Sequence, residues 1–376
     1  MFGRIYNIVL KEFIEMRRDV WARFRLIVPP LIQVIVFGYA ATFEVFNVST
    51  AVLDLDQTQE SRELISRFSY SGRFKITLNA RSQAEIKNAI ERSDAVVAIV
   101  IHDGYSALLR KGETAQAQVI VDGTNSNTAL IALGYVNEIV MNFAQDYARD
   151  MARRLHGAQP PPPSVTLEPR PWYNAGLNSR WFFVPGVIAT LTLTLIVNLT
   201  SFAIVREREV GTLEQIMVTP IRSMEFILGK TIPFFCIGLA LMMLIAGTGT
   251  LWFGIPFVGN PLVLLLGTSL YLMSVLGIGL LISTLCSTQQ QAFATNFFVI
   301  NPLFTLSGFS FPIASMPMLM QYLTYLNPVR YYLVIIRGTF LKGVGLDVLW
   351  PQFVALALLG TALLTISILR FRKSLD

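Results

Sequence analysis

Cysteine and histidine are almost missing from this 376-residue chain, which has two of each. Cys236 and Cys286 both fall in apolar runs, so neither a disulfide framework nor a cysteine zinc site is expected. His102 and His156 have no partner at ligand spacing and read as surface or packing residues. Charge is scarce too. Asp, Glu, Lys and Arg make up 14% of the chain, against about 25% in an ordinary soluble protein. No Ser/His/Asp or Cys/His set converges anywhere, which argues against a membrane enzyme. Gly229-Lys230-Thr231 invites a nucleotide-binding reading and fails it. A phosphate loop needs glycine where Met224 stands, and Pro233 follows at once. No cleavable signal is expected, because charged residues run from Arg4 to Arg25 and no small-residue cleavage site follows the apolar run.

The charge that is present is segregated. Residues 45–180 hold 14 basic and 14 acidic side chains, while the other 240 hold 16 and 10 and so carry the whole net +6. That excess lies beside apolar runs, which points to retention on the cytoplasmic side of a membrane and not to nucleic acid. Six runs come near the ~20 apolar residues that a spanning helix needs: residues 26–43, 182–205, 232–253, 262–285, 292–311 and 349–369. Pro29–Pro30 and Asn301–Pro302 weaken the first and fifth.

Basic residues flank these runs at residues 1–25, in the connection 206–231 and in the tail 370–376. With six spans, all three fall on the cytoplasmic side and both termini face inward. Residues 44–181 and 312–348 then lie outside. Arg330, Arg337 and Lys342 run against this bias. In residues 1–25, Ile5, Val9, Phe13, Met16 and Val20 recur at helical spacing opposite Arg4, Asn7, Lys11, Glu15 and Arg18. This predicts an amphipathic helix in the bilayer interface or packed on the protein itself.

The predicted architecture is a polytopic α-helical membrane protein with an inserted extracytoplasmic α/β domain between the first and second spans. Within that domain, residues 51–55, 74–78, 95–101 and 117–121 read as strands. Residues 57–68, 82–92 and 103–111 read as helices, with Ser82 and Glu85 as a capping box. A long helix over 127–156 carries Leu133, Val136, Val140, Phe143, Tyr147 and Met151 on one face, and Pro160–Pro163 form a stiff linker. Asp54, Asp56 and Asp122 fall at strand ends, where turn formation is favoured over metal binding.

No Asp, Glu, Lys or Arg falls within the six spans, which disfavours a proton-driven carrier. Energy should come from another subunit. Thr190, Thr194 and Asn198 in the second span, with Asn296 and Asn301 in the fifth, are candidates for a weakly polar transport path. Interhelical hydrogen bonding is the alternative for each. The pairs Gly277/Gly279 and Gly247/Gly249 are expected to admit close helix contact.

The longest polar connection runs Glu207-Arg-Glu209-Val-Gly211-Thr212-Leu213-Glu214-Gln215 and on to Thr219-Pro220. Gly211 can break a helix and Thr212 can cap a new one. Leu213, Ile216 and Met217 give it an apolar edge suited to a partner's cleft, although a solvated turn is the plain alternative. With Glu225, Gly229-Lys230, Phe311-Pro312, Leu326-Asn327-Pro328, Arg337-Gly338 and Lys342-Gly343, this segment resembles the permease subunits of type 2 ABC exporters. The resemblance covers nearly the whole chain. It is nearest to the bacterial multidrug-efflux branch that includes the YhhJ and YbhS permeases, except that Ala175 stands where that branch tends to have proline.

The resemblance implies that Glu207–Pro220 contacts an ABC ATPase subunit and that ATP and Mg are held by that partner, with no cofactor on this chain. It also implies a second permease as an identical or paralogous copy, re-entrant helices over residues 312–348, an inner-membrane location, drug efflux, and in some relatives a periplasmic adaptor. A membrane-anchored binding or sensor protein, with the external domain doing the work, stays open beside it.

Overall fold

The structure, a computed structural model, describes residues 2–40, 46–156, 172–174, 176, 178–211 and 223–373. The chain divides into two compact units, Phe43–Pro169 and a second made of Met1–Thr42 with Arg170–Asp376. The second unit begins with helices α1 (Phe2–Arg18) and α2 (Val20–Ala40).

The unit over Phe43–Pro169 is a sheet covered by helices. Strands β1 (Val48–Asp54), β2 (Phe74–Asn79), β3 (Val97–Ile101) and β4 (Ala117–Val121) lie in the order β2-β1-β3-β4. The first three are parallel and β4 is antiparallel to β3. Helices α3 (Gln59–Tyr70), α4 (Gln83–Glu91) and α5 (Tyr105–Lys111) follow the strands, and α6 (Ser126–His156) closes the unit. All five residues of β3 are buried, as a parallel strand covered on both faces requires. Val97, Ile99 and Ile101 join Leu64, Phe68 and Phe143 on one face. Ala98 and Val100 join Ile86 and Ala89 on the other.

Local details depart from the sequence reading. The Ser82 hydroxyl does accept from Glu85 N–H, but the Glu85 carboxylate turns back to Arg81 N–H, so the reciprocal half of the box is missing. The full capping box is at Thr58 and Ser61, which a hydroxyl completes in place of the usual Glu or Gln. On α6 the buried stripe is centred on Ala132, Val136 and Phe143, leaving Leu133 at its exposed edge.

The three aspartates are turn formers. Asp54 accepts from Asp56 N–H, Gln57 N–H and the Ser61 hydroxyl, and Asp122 accepts from Thr124. Asp56 accepts from Thr58 and from Ser106 N–H. Desolvation pushes its carboxyl up, yet these hydrogen bonds prevail and hold it below the ordinary value. No group of acidic, His or Cys residues among the described residues is placed to hold a metal.

The other unit continues with α7 (Ser179–Glu209), α8 (Ser223–Leu251), α9 (Pro261–Leu285) and α10 (Gln289–Thr305). Short helices α11 (Met318–Leu323) and α12 (Pro328–Arg337) and a π-helical turn over Gly338–Lys342 precede α13 (Leu346–Lys373). Among the described residues, four helices are long and apolar enough to cross a membrane: Ser179–Glu209, Met224–Leu251, Pro261–Leu285 and Leu346–Phe371. Two of the six anticipated spans fall short of that measure. The apolar part of α2 is Leu26–Ala40. Helix α10 stops at Thr305, and Gly308, at φ +85°, turns the chain before Phe311.

Packing in this unit depends on small residues and internally bonded hydroxyls. A Cβ on Gly277 would come within 3.0 Å of the α13 backbone, and one on Gly279 within 2.8 Å of Thr200. A Cβ on Gly249 would come within 3.2 Å of Val184, a tight approach, whereas Gly247 faces open space with no helix packed on it among the described residues. Tyr271 and Tyr332 stack with centroids 4.1 Å apart, and the Tyr271 hydroxyl donates to Ala189 C=O on α7. The three basic residues that opposed the charge bias all lie over aromatic rings: Arg330 over Tyr325, Arg337 over Phe182 and Lys342 over Tyr173. A ring face offers a cation attraction without an acidic partner.

Candidate functional site

Helix α7 carries two adjoining sets of polar groups. The first is a ladder. Thr190, Thr194 and Asn198 recur every four residues and share one helix face. Thr194 donates to Thr190 C=O at 3.0 Å, and Asn198 Nδ2 to Thr194 C=O at 2.7 Å. Such back-bonding lets a hydroxyl or amide sit in an apolar wall, since its protons are spent on its own helix.

Asn296 on α10 closes on this ladder. Its Nδ2 donates to Asn198 Oδ1 at 2.8 Å and to the Ser201 hydroxyl at 2.7 Å. Its own Oδ1 is buried and has no hydrogen-bond partner among the described residues. Asn301, five residues on, donates to Phe297 C=O. All five candidate path residues line one cleft of about 380 Å³ between α7 and α10, floored by aromatic and aliphatic side chains that include Phe37 and Phe304. The sequence reading missed Ser201, whose serine at Asn198 plus three was the available signal, and Gln33 of α2, which also lines the cleft.

The second set lies where α7 ends. Gly211 adopts φ +78°, and its N–H bonds back to Arg208 C=O, which terminates the helix as a left-handed glycine does. Just before it, Glu207 accepts from Lys230 Nζ at 2.8 Å, and Lys230 also lies 2.6 Å from the Glu12 carboxylate. Lys230 and Glu12 side chains are 5% and 7% exposed. A lysine buried to that degree between two carboxylates is held by both, and removing either partner would leave buried charge uncompensated. Lys11 lies 3.9 Å from Glu207, and Arg4 lies 3.7 Å from the buried Glu225. Glu209 accepts from Gln289 Nε2 at 2.8 Å, and Arg208 donates to Cys286 C=O.

The last turn of α7 is therefore gripped by α1, by α8 and by the α9–α10 connection. This also accounts for the Gly-Lys-Thr triplet. Gly229 makes room for Ile8, whose side chain a Cβ would meet at 2.5 Å. Lys230 forms the ion pairs, and Thr231 back-bonds to Ile227 C=O. The packed stripe of α1 holds Ile8 and the buried Glu12, whereas Tyr6, Leu10, Phe13 and Ile14 stay exposed. Of the stripe that helical periodicity marks, Ile5, Val9 and Met16 are half-buried on this side while Phe13 and Val20 are exposed, and Glu12 was missed because it reads as a surface residue until Lys230 is placed beside it. Of the predicted partner-contact residues, Glu207, Glu209 and Gly211 are described here. Thr212, Leu213, Glu214, Gln215, Thr219 and Pro220 lie outside the described residues.

Apolar spans, a polar cleft without fixed charge and a pinned helix end fit a transport protein, and comparison with known proteins agrees. The sequence pattern of the "ABC-2 family transporter protein" family matches residues 24–369. The chain is 37% identical over 366 residues to the "Probable multidrug ABC transporter permease YbhR" of Escherichia coli (strain K12), covering 96% of this chain and 97% of that one. It is 29% identical over 342 residues to the "Probable multidrug ABC transporter permease YbhS" of the same strain, covering 90% and 89%. It is also 29% identical over 388 residues to that strain's "Inner membrane transport permease YhhJ", covering 99% and 97%. This chain belongs to the ABC-2 transporter family and is a membrane-embedded helical permease.

Proposed function

We propose that this chain is the membrane half of an ATP-driven exporter that moves an amphipathic, drug-like cargo outward across the inner membrane. The observation that carries the reading is the cleft between α7 and α10, where Thr190, Thr194, Asn198, Asn296 and Asn301 present amide and hydroxyl groups in an otherwise apolar wall. A wall of that kind binds apolar bodies and discriminates through a few polar contacts. Asn296 Oδ1 is buried and has no hydrogen-bond partner among the described residues, so a side-chain shift would open it as an acceptor for a cargo donor.

In this reading the chain crosses the membrane six times. Helix α2, at 21 residues, is about 31 Å long at 1.5 Å per residue, and the shorter α10 is supplemented by the turn after it. Both termini and the Glu207–Pro220 connection are cytoplasmic. The sheet unit and α11–α12 lie outside, between the first and second spans and between the fifth and sixth. An ABC ATPase subunit binds the Glu207–Pro220 segment and supplies ATP and Mg. A second permease, identical or paralogous, completes the pair. The names of the relatives support drug-like cargo, and the sheet unit offers a surface for a periplasmic adaptor.

The test is reconstitution with the ATPase that co-purifies. Glu214→Lys should abolish cargo-stimulated ATP hydrolysis with membrane insertion unchanged, and Asn296→Leu should weaken cargo stimulation about tenfold while basal hydrolysis persists, one lost buried hydrogen bond being worth about 1–3 kcal/mol. Normal transport in both variants would refute the reading. Absence of any ATPase from the complex, with function lost on removing residues 46–156, would favour a sensor instead.

A further inference from the structure

A second cleft, of about 880 Å³, lies on the other side of Asn198 from the transport cleft, among α1, the start of α2, α7, α8 and the first residue of α10. Its floor is apolar: Leu26, Leu195, Leu199, Phe202 and Phe234. Its rim carries four acidic and four basic side chains, which suggests no net preference until their contacts are followed. Glu12 and Glu207 are taken by Lys230, and Glu15 lies 3.3 Å from Lys11. Asp19 has a partner as well. Arg18 and Arg206 line the same rim and make no guanidinium hydrogen bond or ion pair among the described residues. The charge left over for a ligand is therefore cationic, on two guanidinium groups beside an apolar floor.

From this we infer that the cleft binds a phosphate-bearing amphiphile, its headgroup between Arg18 and Arg206 and its chain along the floor. Guanidinium groups bind phosphate with paired, charge-assisted hydrogen bonds. Leu195, Leu199, Phe202 and Arg206 follow one another at steps of four, three and four, so they share a face of α7. Leu195 to Arg206 spans about 16 Å at 1.5 Å per residue, enough to lay out a medium-length acyl chain behind the headgroup. The volume falls within the range of sites that enclose drug-sized ligands. Asn198 borders both clefts, so a bound chain would point toward the polar ladder. The inference goes beyond the transport reading and does not rest on it, because the site exists without the ATPase.

The experiment is native mass spectrometry of the full chain in maltoside detergent with added phosphatidylglycerol, diacylglycerol of the same chains, laurate and inorganic phosphate. Phosphatidylglycerol should be retained about tenfold better than diacylglycerol or laurate, since about 1.4 kcal/mol of headgroup binding is tenfold. The exposed pair Arg18→Gln with Arg206→Gln should remove that preference. Leu199→Trp, which fills the floor, should lower phosphatidylglycerol retention without changing inorganic phosphate binding. Should the double variant fold poorly, Arg206→Glu alone should shift retention toward dodecyltrimethylammonium. Equal retention of phosphatidylglycerol and diacylglycerol, laurate binding as well as phosphatidylglycerol, or inorganic phosphate displacing the lipid unaided would each overturn the inference. So would a double variant that keeps the preference.

Discussion

Helices α9 and α13 are almost equally apolar, lie against each other, and occupy opposite environments. The spanning stretch of α9 is 67% buried within the protein, while that of α13 is 22% buried. Hydrophobicity does not separate them, because lipid and a protein interior are both apolar. Small and hydroxyl residues that meet a neighbouring helix do, since Thr361 and Thr365 of α13 are exposed and bond back to their own helix. Gly267, Thr268, Tyr271, Ser274 and Gly277 fall within about three turns of α9, and all are buried. Along α13, Trp350, Val354, Leu358, Ile366 and Leu369 are exposed, with Ser367, donating to Gly277 C=O at 2.8 Å, marking its inward edge. In a membrane protein the interior is signalled by what allows close approach or bonds across it, and not by greasiness.

Substitutions can break that contrast or sharpen it. The largest effect is expected for Tyr271→Ala, which removes the stack on Tyr332 and the bond to α7 and should cost about 3 kcal/mol or more, read as a lowered unfolding midpoint in bicelles. Gly277→Leu should cost about 1–3 kcal/mol by overpacking. Its added side chain meets the backbone of Leu363 and Leu364, so cysteine cross-links between α9 and α13 should also weaken. Leu358→Ala, on the outward face of α13, should shift the midpoint by no more than about 0.5 kcal/mol, the range of ordinary surface changes. If Leu358→Ala matched Tyr271→Ala, a second chain would have to cover that face.

Much of the fold was legible in the sequence because its signals are local. Alternating and helical periods placed each strand and helix of the sheet unit to within a few residues, and unbroken apolar runs marked α7, α8, α9 and α13. The direction of β4 was not legible, since a short edge strand looks the same in either sense. The ends of α10 were missed because Gly308 gives no sign in sequence of a left-handed turn. In the candidate site, the four-residue spacing of Thr190, Thr194 and Asn198 was readable. The clasp from Asn296 to Asn198 and Ser201 joins residues nearly a hundred positions apart, and no pattern within one helix reports it. The Glu12–Lys230–Glu207 cluster was hidden for the same reason.

That cluster also constrains how the protein is made. Glu12 leaves the ribosome 218 residues before Lys230, an interval of roughly 10–40 s at 5–20 residues per second. Throughout that time its carboxylate lacks the buried Lys230 ammonium and must stay hydrated, so α1 cannot take its final seat. The exposed apolar side of α1 can rest on the bilayer meanwhile, with Glu12 turned to water. Seating of the first helix is thus a late step in assembly, and a chain truncated before Lys230 would leave α1 undocked.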